Sequence, residues 1–491
     1  MTLAEITRPQ TSPTVFGNII DGHGPEAAEG RRLEVVCPSD GTVIATLPRS
    51  CAAEVDAAVR AARRAFETTW AGFTATERGR LLTRLGEAVL ARTDELGALE
   101  SLDTGKPISQ GRADIIATAR YFEFYGASAD KVHGETIPFM QGYTVSVIRD
   151  PHGVTGHIIP WNYPSQIFGR SVGASLACGN TCVVKPAEDG GLTLHRIAEL
   201  ALEVGFPTGV LNIVAGLGSE AGSALSQHPG INFISFTGSP EVGTLIQTAA
   251  AQNHIGCTLE LGGKSPQLVF ADADLDAAVP VLVKAIIQNG GQTCSAGSRV
   301  LIQEPIFDEV AAAIAARFEK ITAGHHAQDH DLGAMVTAKQ QARVNASIRE
   351  AKDAGVPVLA EGRIASDAPD KGFYVTPTVF CPAPRDSLIA REEVFGPVLS
   401  VMPFTDEADA VAAANGTDYG LVAGIWTTNA NRSMRMARAM RCGQVFINGF
   451  GAGGGIELPF GGVGKSGHGR EKGFAALHEF SATKTIVFNH G

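Results

Sequence analysis

The spacing of apolar residues changes along the chain, and its first third is helical in pattern. After Ser50, a residue type that often precedes a helix, apolar side chains recur at helical spacing from Val55 to Phe66. The same spacing returns from Leu81 to Leu96 and predicts a second helix. A third helix is predicted from about Ala113 to Tyr125.

Strict alternation of apolar and polar residues follows this block. Tyr143 to Val147 alternates as a half-exposed strand does, so Val132 to Asp150 is predicted to form a hairpin outside the helical block. Thr483 to Phe488, near the end of the chain, is also rich in strand-forming residues. Both segments are suited to extending a sheet across a subunit interface.

From Gly153 onward, short apolar runs alternate with helical segments. The first series of runs comprises Val154–Ile159, Thr181–Lys185, Leu211–Val214, Ile231–Phe236 and Thr258–Leu261. This alternation predicts right-handed crossovers and a parallel sheet covered on both faces, a Rossmann-like α/β architecture. A second α/β series begins near Gln267, with a helix at Asp274–Gln288 and strands near Arg299–Ile302, Leu399–Pro403, Val422–Trp426 and Gln444–Asn448.

Size and composition narrow the class of protein. The 491 residues exceed the roughly 250–300 at which one hydrophobic core stops growing, so two or three domains are expected. A net charge of −11 disfavours nucleic acid or an anionic membrane as a partner. No apolar run approaches the roughly 18 residues of a membrane span, and Met1 to Pro13 lacks an apolar signal core. We therefore expect a cytoplasmic protein.

The eight cysteines contain no C-x-x-C pair and no zinc-site spacing, so no metal site is predicted. Cys294 differs from the others because it lies among glycines and small polar residues, in Gly290–Ser295, where an apolar helix breaks into a loop. A thiol there is reachable and can act as a nucleophile once its pKa is lowered. The alternative is a loop cysteine without a role.

Two further residues at strand ends have side chains suited to catalysis. Asn162 lies in a rigid loop, Pro160–Pro164, where its amide can donate to a developing oxyanion; the alternative is an asparagine in a turn. Glu260 ends an apolar strand, and burial there would raise its pKa toward that of a general base. The alternative for Glu260 is a pair with Lys264.

Three segments are suited to a dinucleotide. Lys185 and Glu188 end a strand, and a carboxylate there can hold a ribose and repel a 2′-phosphate, which favours NAD over NADP. Residues 216–222 form a variant glycine loop. Ser239 is placed to cap a helix with Pro240 in its first position, an arrangement that binds anions. Each segment also has a purely structural interpretation.

Taken in order, the motifs resemble those of the NAD(P)-dependent aldehyde dehydrogenase family. They are PWN at 160–162, KPAE at 185–188, FTGS at 236–239, ELGGK at 260–264, GQTC at 291–294, EEVFGP at 392–397 and PFGG at 459–462. The resemblance extends from about Asp21 to Lys484.

The resemblance implies a mechanism. Cys294 would attack the aldehyde, Asn162 and the Cys294 N–H would hold the oxyanion, and Glu260 would activate the hydrolytic water. An acid at Glu260 favours hydrolysis over acyl transfer to coenzyme A. Two alternatives remain: a coenzyme A-acylating member, and a non-catalytic member that keeps the fold.

The resemblance also implies that NAD is the cofactor. The residues expected to bind it are Pro160, Trp161, Lys185, Glu188, Gly218, Gly222, Ser239, Val242, Leu261, Glu393 and Phe395. Taken by itself, Glu393 has the alternative of lying in a solvated turn.

By the same resemblance, the chain would divide into three parts and form a homodimer or homotetramer. Residues 1–131 and 152–262 would form the dinucleotide-binding domain, residues 263–477 the catalytic domain, and residues 132–151 with 478–491 a bridging β-element.

The substrate is left open between two kinds of aldehyde. Members acting on succinic semialdehyde carry an arginine at the position of Arg170, and a guanidinium suits carboxylate recognition. Arg170 has the alternative of pairing with an internal acid such as Glu457. The glycine-rich loop 451–457 would line a wide entrance equally suited to a bulky or aromatic aldehyde. The expected substrate residues are Tyr163, Ile167, Arg170, Thr293, Ser295, Phe450 and Glu457.

Overall fold

A computed structural model describes residues 13–24, 26–27, 30–451 and 455–491. The helical block near the N-terminus consists of α1 (Ala52–Glu67), α2 (Ala75–Leu90), α3 (Thr93–Thr104) and α4 (Ile108–Ser128). The single helix predicted from Leu81 to Leu96 is in fact two, because the chain turns at residues 91–92 and Leu96 belongs to α3. Cys51, not Ser50, is the cap of α1, and the Ser50 hydroxyl instead accepts from the Asn18 amide at 2.9 Å.

The predicted hairpin and the tail strand form one three-stranded sheet. Its strands are β4 (Glu135–Ile137), β5 (Tyr143–Pro151) and β23 (Ser481–Asn489), and β5 pairs antiparallel with both of the others. A separate small sheet near the N-terminus contains β1 (Thr14–Val15), β2 (Arg32–Val36) and β3 (Val43–Pro48).

A six-stranded sheet carries the first α/β series. Its strands are β6 (Val154–Ile159), β7 (Thr181–Pro186), β8 (Leu211–Ile213), β9 (Phe233–Thr237), β10 (Gly256–Glu260) and β22 (Gly467–His468). The first five are parallel in the order β10-β9-β6-β7-β8, and β22 adds an antiparallel edge. This is the Rossmann order, in which successive strands are added to one side of β6 up to β8 and then to its other side from β9, so the strand order reverses between β6 and β9.

A seven-stranded sheet carries the second series. Its strands are β11 (Pro266–Val269), β12 (Arg299–Gln303), β14 (Val358–Glu361), β16 (Thr378–Phe380), β17 (Val398–Phe404), β19 (Val422–Trp426) and β20 (Gln444–Ile447). The order is β14-β16-β17-β12-β11-β19-β20, and only the β14–β16 pairing is antiparallel. The predicted fold class, two α/β units with a small β-element, is confirmed.

Helices and short strand pairs complete the described residues. The helices are α5 (Pro164–Ala177), α6 (Leu192–Glu203), α7 (Ser223–Gln227), α8 (Pro240–Gln252), α9 (Leu275–Ile287), α10 (Phe307–Phe318), α11 (Ala338–Asp353), α12 (Leu388–Arg391), α13 (Glu407–Ala414), α14 (Ala430–Ala439) and α15 (Gly473–Glu479). The strand pairs are β13 (Thr322–Ala323) with β15 (Arg363–Ile364) and β18 (Tyr419–Gly420) with β21 (Val463–Gly464). Within the described part of the chain, none of the helices is both long and apolar enough to cross a membrane.

Candidate active site

The site lies at the carboxyl end of β6, where the strand order reverses. The loop that carries Asn162 follows β6 directly, and α5 begins two residues later at Pro164. Ligands of open α/β sheets bind at such a reversal because the loops on its two sides diverge and leave a crevice. Fold and sequence therefore indicate the same place.

Cys294 approaches this crevice from the second α/β unit. It follows α9 and a tight turn in which Asn289, Gly290 and Gly291 all have positive φ, at 50°, 62° and 74°. Such a run of left-handed residues favours glycine, which explains the composition of the loop. Cys294 packs against Leu421, Val422 and Phe460, with Phe446 and Phe450 beside them. The thiol is therefore half-buried among aromatic side chains.

Burial raises the pKa of the Cys294 thiol to about 11, and the nearby charges of Arg170 and Lys472 act in the opposite direction. The thiol is protonated at neutral pH in the protein alone. A nucleophilic thiolate requires a base or a bound ligand to change that balance.

The Asn162 side chain reaches the cysteine loop. Its Nδ2 donates to the Gln292 carbonyl at 3.0 Å, two residues before Cys294. The Asn289 amide donates in turn to the Asn162 main-chain oxygen at 2.8 Å. Tyr163 adds a third link, a 2.8 Å hydrogen bond between its hydroxyl and that of Thr293. These contacts hold the two loops together across the crevice.

Glu260 lies at the end of β10 and is buried. No described residue donates a hydrogen bond to either of its carboxylate oxygens. Burial and the neighbouring charge of Glu471 raise its pKa well above the usual value. The charge of Glu260 is also close enough to raise the pKa of Cys294. An unsatisfied, buried carboxyl near a thiol has the environment of a general base.

Glu260 does not pair with Lys264, the alternative considered from sequence. The Lys264 ammonium has no hydrogen-bond partner among the described residues, and burial lowers its pKa to about 7.

Arg170 forms an ion pair with Glu471, and both side chains are buried. Arg170 therefore pairs with an internal acid, which was the alternative to binding a substrate carboxylate. Glu457 as its partner is wrong, because Glu457 lies at the surface and pairs with Arg120 at 2.7 Å.

The expected ribose ligands lie beside β7. Lys185 donates to Glu188 at 2.7 Å, and the Gly218 N–H points at the other oxygen of Glu188, 3.5 Å away. The Lys185 charge contributes to lowering the pKa of Glu188, although burial opposes it, so its carboxylate is charged at neutral pH. Gly222 lies over the Lys185 side chain. The structure thus brings these four expected cofactor residues together.

The amino end of α8 opens toward the same side. Ser239 is its cap and accepts from the Val242 N–H at 3.3 Å, with Pro240 in the first turn. Ser239 and Val242 are both exposed. Leu261 packs against the backbone of Gly243 in this helix, where a Cβ atom would lie 2.7 Å from it.

Glu393 and Phe395 approach from the opposite unit. Glu393 accepts from the Gly263 N–H at 2.9 Å, and burial raises its pKa to about 7. The Phe395 ring meets the Trp161 ring edge to face, with centroids 5.4 Å apart. Phe395 has a φ of 56°, a left-handed conformation that few non-glycine residues adopt. Pro160, the first residue after β6, precedes Trp161 directly.

The residues expected to bind substrate fall into different environments. Tyr163, Thr293 and Phe450 lie around the cysteine loop, and Ser295 is half-buried next to Cys294. Ile167 instead belongs to the hydrophobic core. In the predicted loop 451–457, residues 452–454 lie outside the described residues.

Three charged residues near the site were not predicted from sequence. Glu471 and Lys472 come from the turn before α15, and Lys106 comes from the α3–α4 connection and donates to Asn162. The Lys472 ammonium lies 4.9 Å from the centroid of the Phe460 ring, and its pKa is lowered by burial to about 8. No periodicity marks these residues, since each lies in a short connection.

Comparison with known proteins identifies the class. The model of the aldehyde dehydrogenase family matches residues 26–486. The crystal structure of a Burkholderia cenocepacia protein presumed to be an aldehyde dehydrogenase is 58% identical with a TM-score of 0.96, covering 97% of this chain and 100% of that one. The structure of PnpE in complex with nicotinamide adenine dinucleotide is 41% identical with a TM-score of 0.94, covering 97% and 98%.

A curated relative gives the same result over most of both chains. Aldehyde dehydrogenase family 2 member B4, mitochondrial, from Arabidopsis thaliana, is 39% identical over 487 residues, which are 98% of this chain and 90% of the relative. The chain therefore belongs to the aldehyde dehydrogenase family. The fold and the family expected from the motifs are both confirmed.

Proposed function

We propose that the protein oxidises an aldehyde to a carboxylic acid with NAD, through an acyl-enzyme on Cys294 that water hydrolyses. The observation that carries this proposal is the arrangement of the Cys294 thiol, the Asn162 amide and the buried Glu260 carboxyl around one crevice. A fold kept only as a scaffold has no use for an unsatisfied buried carboxyl.

The first step follows from the chemistry of the thiol. Loss of the thiol proton to solvent gives the Cys294 thiolate. The thiolate attacks the carbonyl carbon, a carbon–sulfur bond forms, and the carbonyl π electrons move to oxygen. The Asn162 Nδ2 amide and the Cys294 main-chain N–H donate to that oxygen. Preorganised donors of this kind lower the barrier because they meet charge that develops only in the transition state.

The protein's dinucleotide crevice fits NAD. Glu188 is charged at the end of β7, the open amino end of α8 suits a pyrophosphate, and Glu393 with Phe395 lies on the opposite side. A charged Glu188 disfavours NADP because it repels a 2′-phosphate. NAD, when bound, supplies the acceptor for the hydride that the substrate carbon loses.

Glu260 completes the cycle. Its carboxylate takes a proton from water, the water oxygen bonds to the thioester carbon, and the carbon–sulfur bond breaks to release Cys294. A base with a raised pKa is matched to this task near neutral pH. A base at this position also favours hydrolysis over transfer to coenzyme A.

The surroundings of Cys294 favour a bulky or aromatic aldehyde without a carboxylate. Phe446, Phe450 and Phe460 lie around the thiol, and aromatic side chains bind apolar rings through large contact areas. Arg170, the group suited to a substrate carboxylate, is instead engaged by Glu471.

We also propose that the three-stranded sheet joins subunits into a dimer or tetramer, with the domain boundaries given above. Its tail strand leaves Ile486, Val487 and Phe488 exposed, and Phe139 and Met140 are exposed beside it. Contiguous exposed apolar residues of this kind mark association surfaces.

The proposal is tested by following NADH with benzaldehyde, hexanal and succinic semialdehyde, in the absence of coenzyme A. We expect steady turnover, with benzaldehyde or hexanal preferred. Cys294→Ala should abolish NADH formation, whereas Cys257→Ala, a matched half-buried cysteine in β10, should not. Turnover that required coenzyme A would support the acylating alternative, and NADH from Cys294→Ala would overturn the mechanism.

A further inference from the structure

We propose that Lys106 is a positioning residue for the oxyanion-binding amide of Asn162, an inference that rests on the proposed function. The Lys106 ammonium donates to the Asn162 main-chain oxygen at 3.0 Å. Its other contacts are Asp114 at 2.6 Å and Glu100 at 3.1 Å. An ammonium has three N–H donors, and these acceptors account for all three.

The burial of this cluster shows that the contact to Asn162 is an organised one. The side chains of Lys106, Glu100 and Asp114 are each 0% exposed. A buried ammonium needs a charged partner, and the two carboxylates supply it without Asn162. The third N–H of Lys106 is nevertheless directed at the carbonyl of the residue whose side chain faces the nucleophile loop.

The remaining contacts of the cluster fix it in place. Gln110 and Gln166 donate to the second oxygen of Asp114 at 2.7 and 2.8 Å. Gln110 and Asp114 lie on α4 and Gln166 lies on α5, so the network ties the two helices together beneath the crevice. The Lys106 ammonium also lies 4.9 Å from the centre of the Tyr163 ring. Lys106 therefore has little freedom to move away from Asn162.

Two donors from different parts of the chain hold the Asn162 carbonyl. Lys106 reaches it from the helical block, and Asn289 reaches it at 2.8 Å from the loop that leads to Cys294. The Asn162 amide donates one of its two N–H groups to Gln292 and keeps the other for an oxyanion, since Gln292 is its single acceptor among the described residues. Fixing the main chain of Asn162 thus fixes the direction of that second N–H.

Position matters here because the benefit of an oxyanion donor depends on geometry. A displacement of about 1 Å at a reacting centre can lower a rate by on the order of 10²-fold. Loss of the Lys106 contact would let the Asn162 peptide rotate, so the expected cost is in the chemical step and not in coenzyme binding.

The test uses a variant that leaves no buried charge. Lys106→Met alone would strand two carboxylates, so it is combined with Glu100→Gln and Asp114→Asn. Stopped-flow NADH formation, the primary isotope effect with [1-²H]benzaldehyde and the NAD dissociation constant are measured for the full-length enzyme. The same three changes are also made in the Asn162→Ala enzyme, where there is no amide to position.

We expect the triple variant to lower kcat/KM for benzaldehyde at least tenfold, to raise the isotope effect and to leave NAD binding unchanged. In the Asn162→Ala background, the same changes should lower kcat/KM less than twofold. If kcat/KM falls by the same factor in the two backgrounds, or does not fall at all, the inference about Lys106 is wrong and the proposed function is unaffected. Absence of NADH from wild-type enzyme would overturn the proposed function and this inference with it.

A second variant tests the inference even if the triple variant does not fold. Asn289→Gly removes the other donor to the Asn162 carbonyl, and glycine tolerates the φ of 50° at this position. We expect a loss of kcat/KM of about threefold to tenfold, reduced to less than twofold in the Asn162→Ala background. Equal losses in the two backgrounds would contradict anchoring of that carbonyl.

Discussion

Arg170 and Glu471 form an ion pair inside the protein, with side chains 6% and 0% exposed. Ser235 donates to the other Glu471 oxygen at 2.8 Å, and Arg170 donates to the Thr237 hydroxyl at 3.1 Å. Both hydroxyl groups belong to β9, which pairs with the strand that ends in Glu260. The ion pair is therefore fixed to the sheet beside the proposed general base.

The first prediction concerns this pair. Arg170→Leu should lower the free energy of unfolding by about 3–5 kcal/mol, because it leaves the Glu471 carboxylate buried without a counter-charge. Combining it with Glu471→Leu should restore most of that loss. Urea denaturation of the two variants and the wild type measures both effects.

The opposite result would indicate that Arg170 binds the substrate carboxylate. In that case Arg170→Leu would be as stable as the wild type, and kcat/KM would fall for succinic semialdehyde but not for benzaldehyde. The ratio of the two substrates, measured in each variant, separates the two roles.

The second prediction concerns Glu260. Glu260→Gln should still release about one equivalent of NADH per active site, because hydride loss and acyl-enzyme formation on Cys294 come before the hydrolysis that needs the base. Steady turnover should then fall by roughly 10²–10⁴-fold, the usual contribution of a positioned base. Stopped-flow absorbance resolves the burst from the steady rate, and Glu309→Gln, an exposed acid on α10, is the control.

The pH dependence of the wild type follows from the same residue. Burial raises the pKa of Glu260, so its carboxylate becomes protonated at a higher pH than that of an ordinary glutamate. The acidic limb of kcat should therefore lie well above pH 4.5, the usual pKa of such a group. A pH profile that is flat down to pH 5 would contradict this assignment.

The third prediction concerns the thiol. Because the pKa of Cys294 is about 11 in the protein alone, the thiolate fraction should rise about tenfold per pH unit from pH 7 to 9. The rate of alkylation by iodoacetamide without NAD should rise in parallel, as measured by mass spectrometry of the peptide containing Cys294. A plateau below pH 8 would show that the charges of Arg170 and Lys472 outweigh burial.

The candidate catalytic residues were predictable because the signal is local. Asn162 and Cys294 lie in short loops after apolar runs, and Glu260 is the last residue of an apolar strand. The glycines before Cys294 also indicate the left-handed backbone of its loop. The strands at Val154–Ile159 and Val422–Trp426 were predicted to the residue, and the other predicted strands of the two α/β series shifted by one or two positions. The order of strands in a parallel sheet then follows from connection rules.

The supporting ion pairs were not predictable because they join distant parts of the chain. Arg170 and Glu471 are far apart in sequence, and surface Arg120 pairs with the glutamate that was expected for Arg170. In the sequence, nothing distinguishes Lys106 from other lysines in turns, and only the fold shows that it contacts Asn162. A buried charge has no periodic signal, so its partner is known only from tertiary packing.

The fourth prediction concerns coenzyme choice. Glu188→Gln removes the charge that would face a 2′-phosphate, and Lys185 then has no acidic partner at 2.7 Å. The ratio of the NADPH to the NADH dissociation constant should fall at least tenfold, as measured by the fluorescence of the two reduced coenzymes. Glu199→Gln, which removes an exposed acid on α6 paired with Arg196 at 3.0 Å, is the matched control and should leave the ratio unchanged.

The fifth prediction concerns Glu393 and coenzyme binding near neutral pH. Burial raises the pKa of this carboxyl to about 7, whereas a ribose hydroxyl is best bound by the charged form. Protonation therefore competes with binding, and the NAD dissociation constant should rise as the pH falls below 7, approaching tenfold per unit. Above pH 8 the dissociation constant should be flat. Isothermal titration at pH 6, 7 and 8 measures the dissociation constant, and binding should release protons to the buffer at pH 7.

Glu393→Gln should bind NAD more weakly than the wild type at pH 8, and its binding should not depend on pH. A pH dependence that survives in Glu393→Gln would assign the titration to another group and remove Glu393 from the coenzyme site.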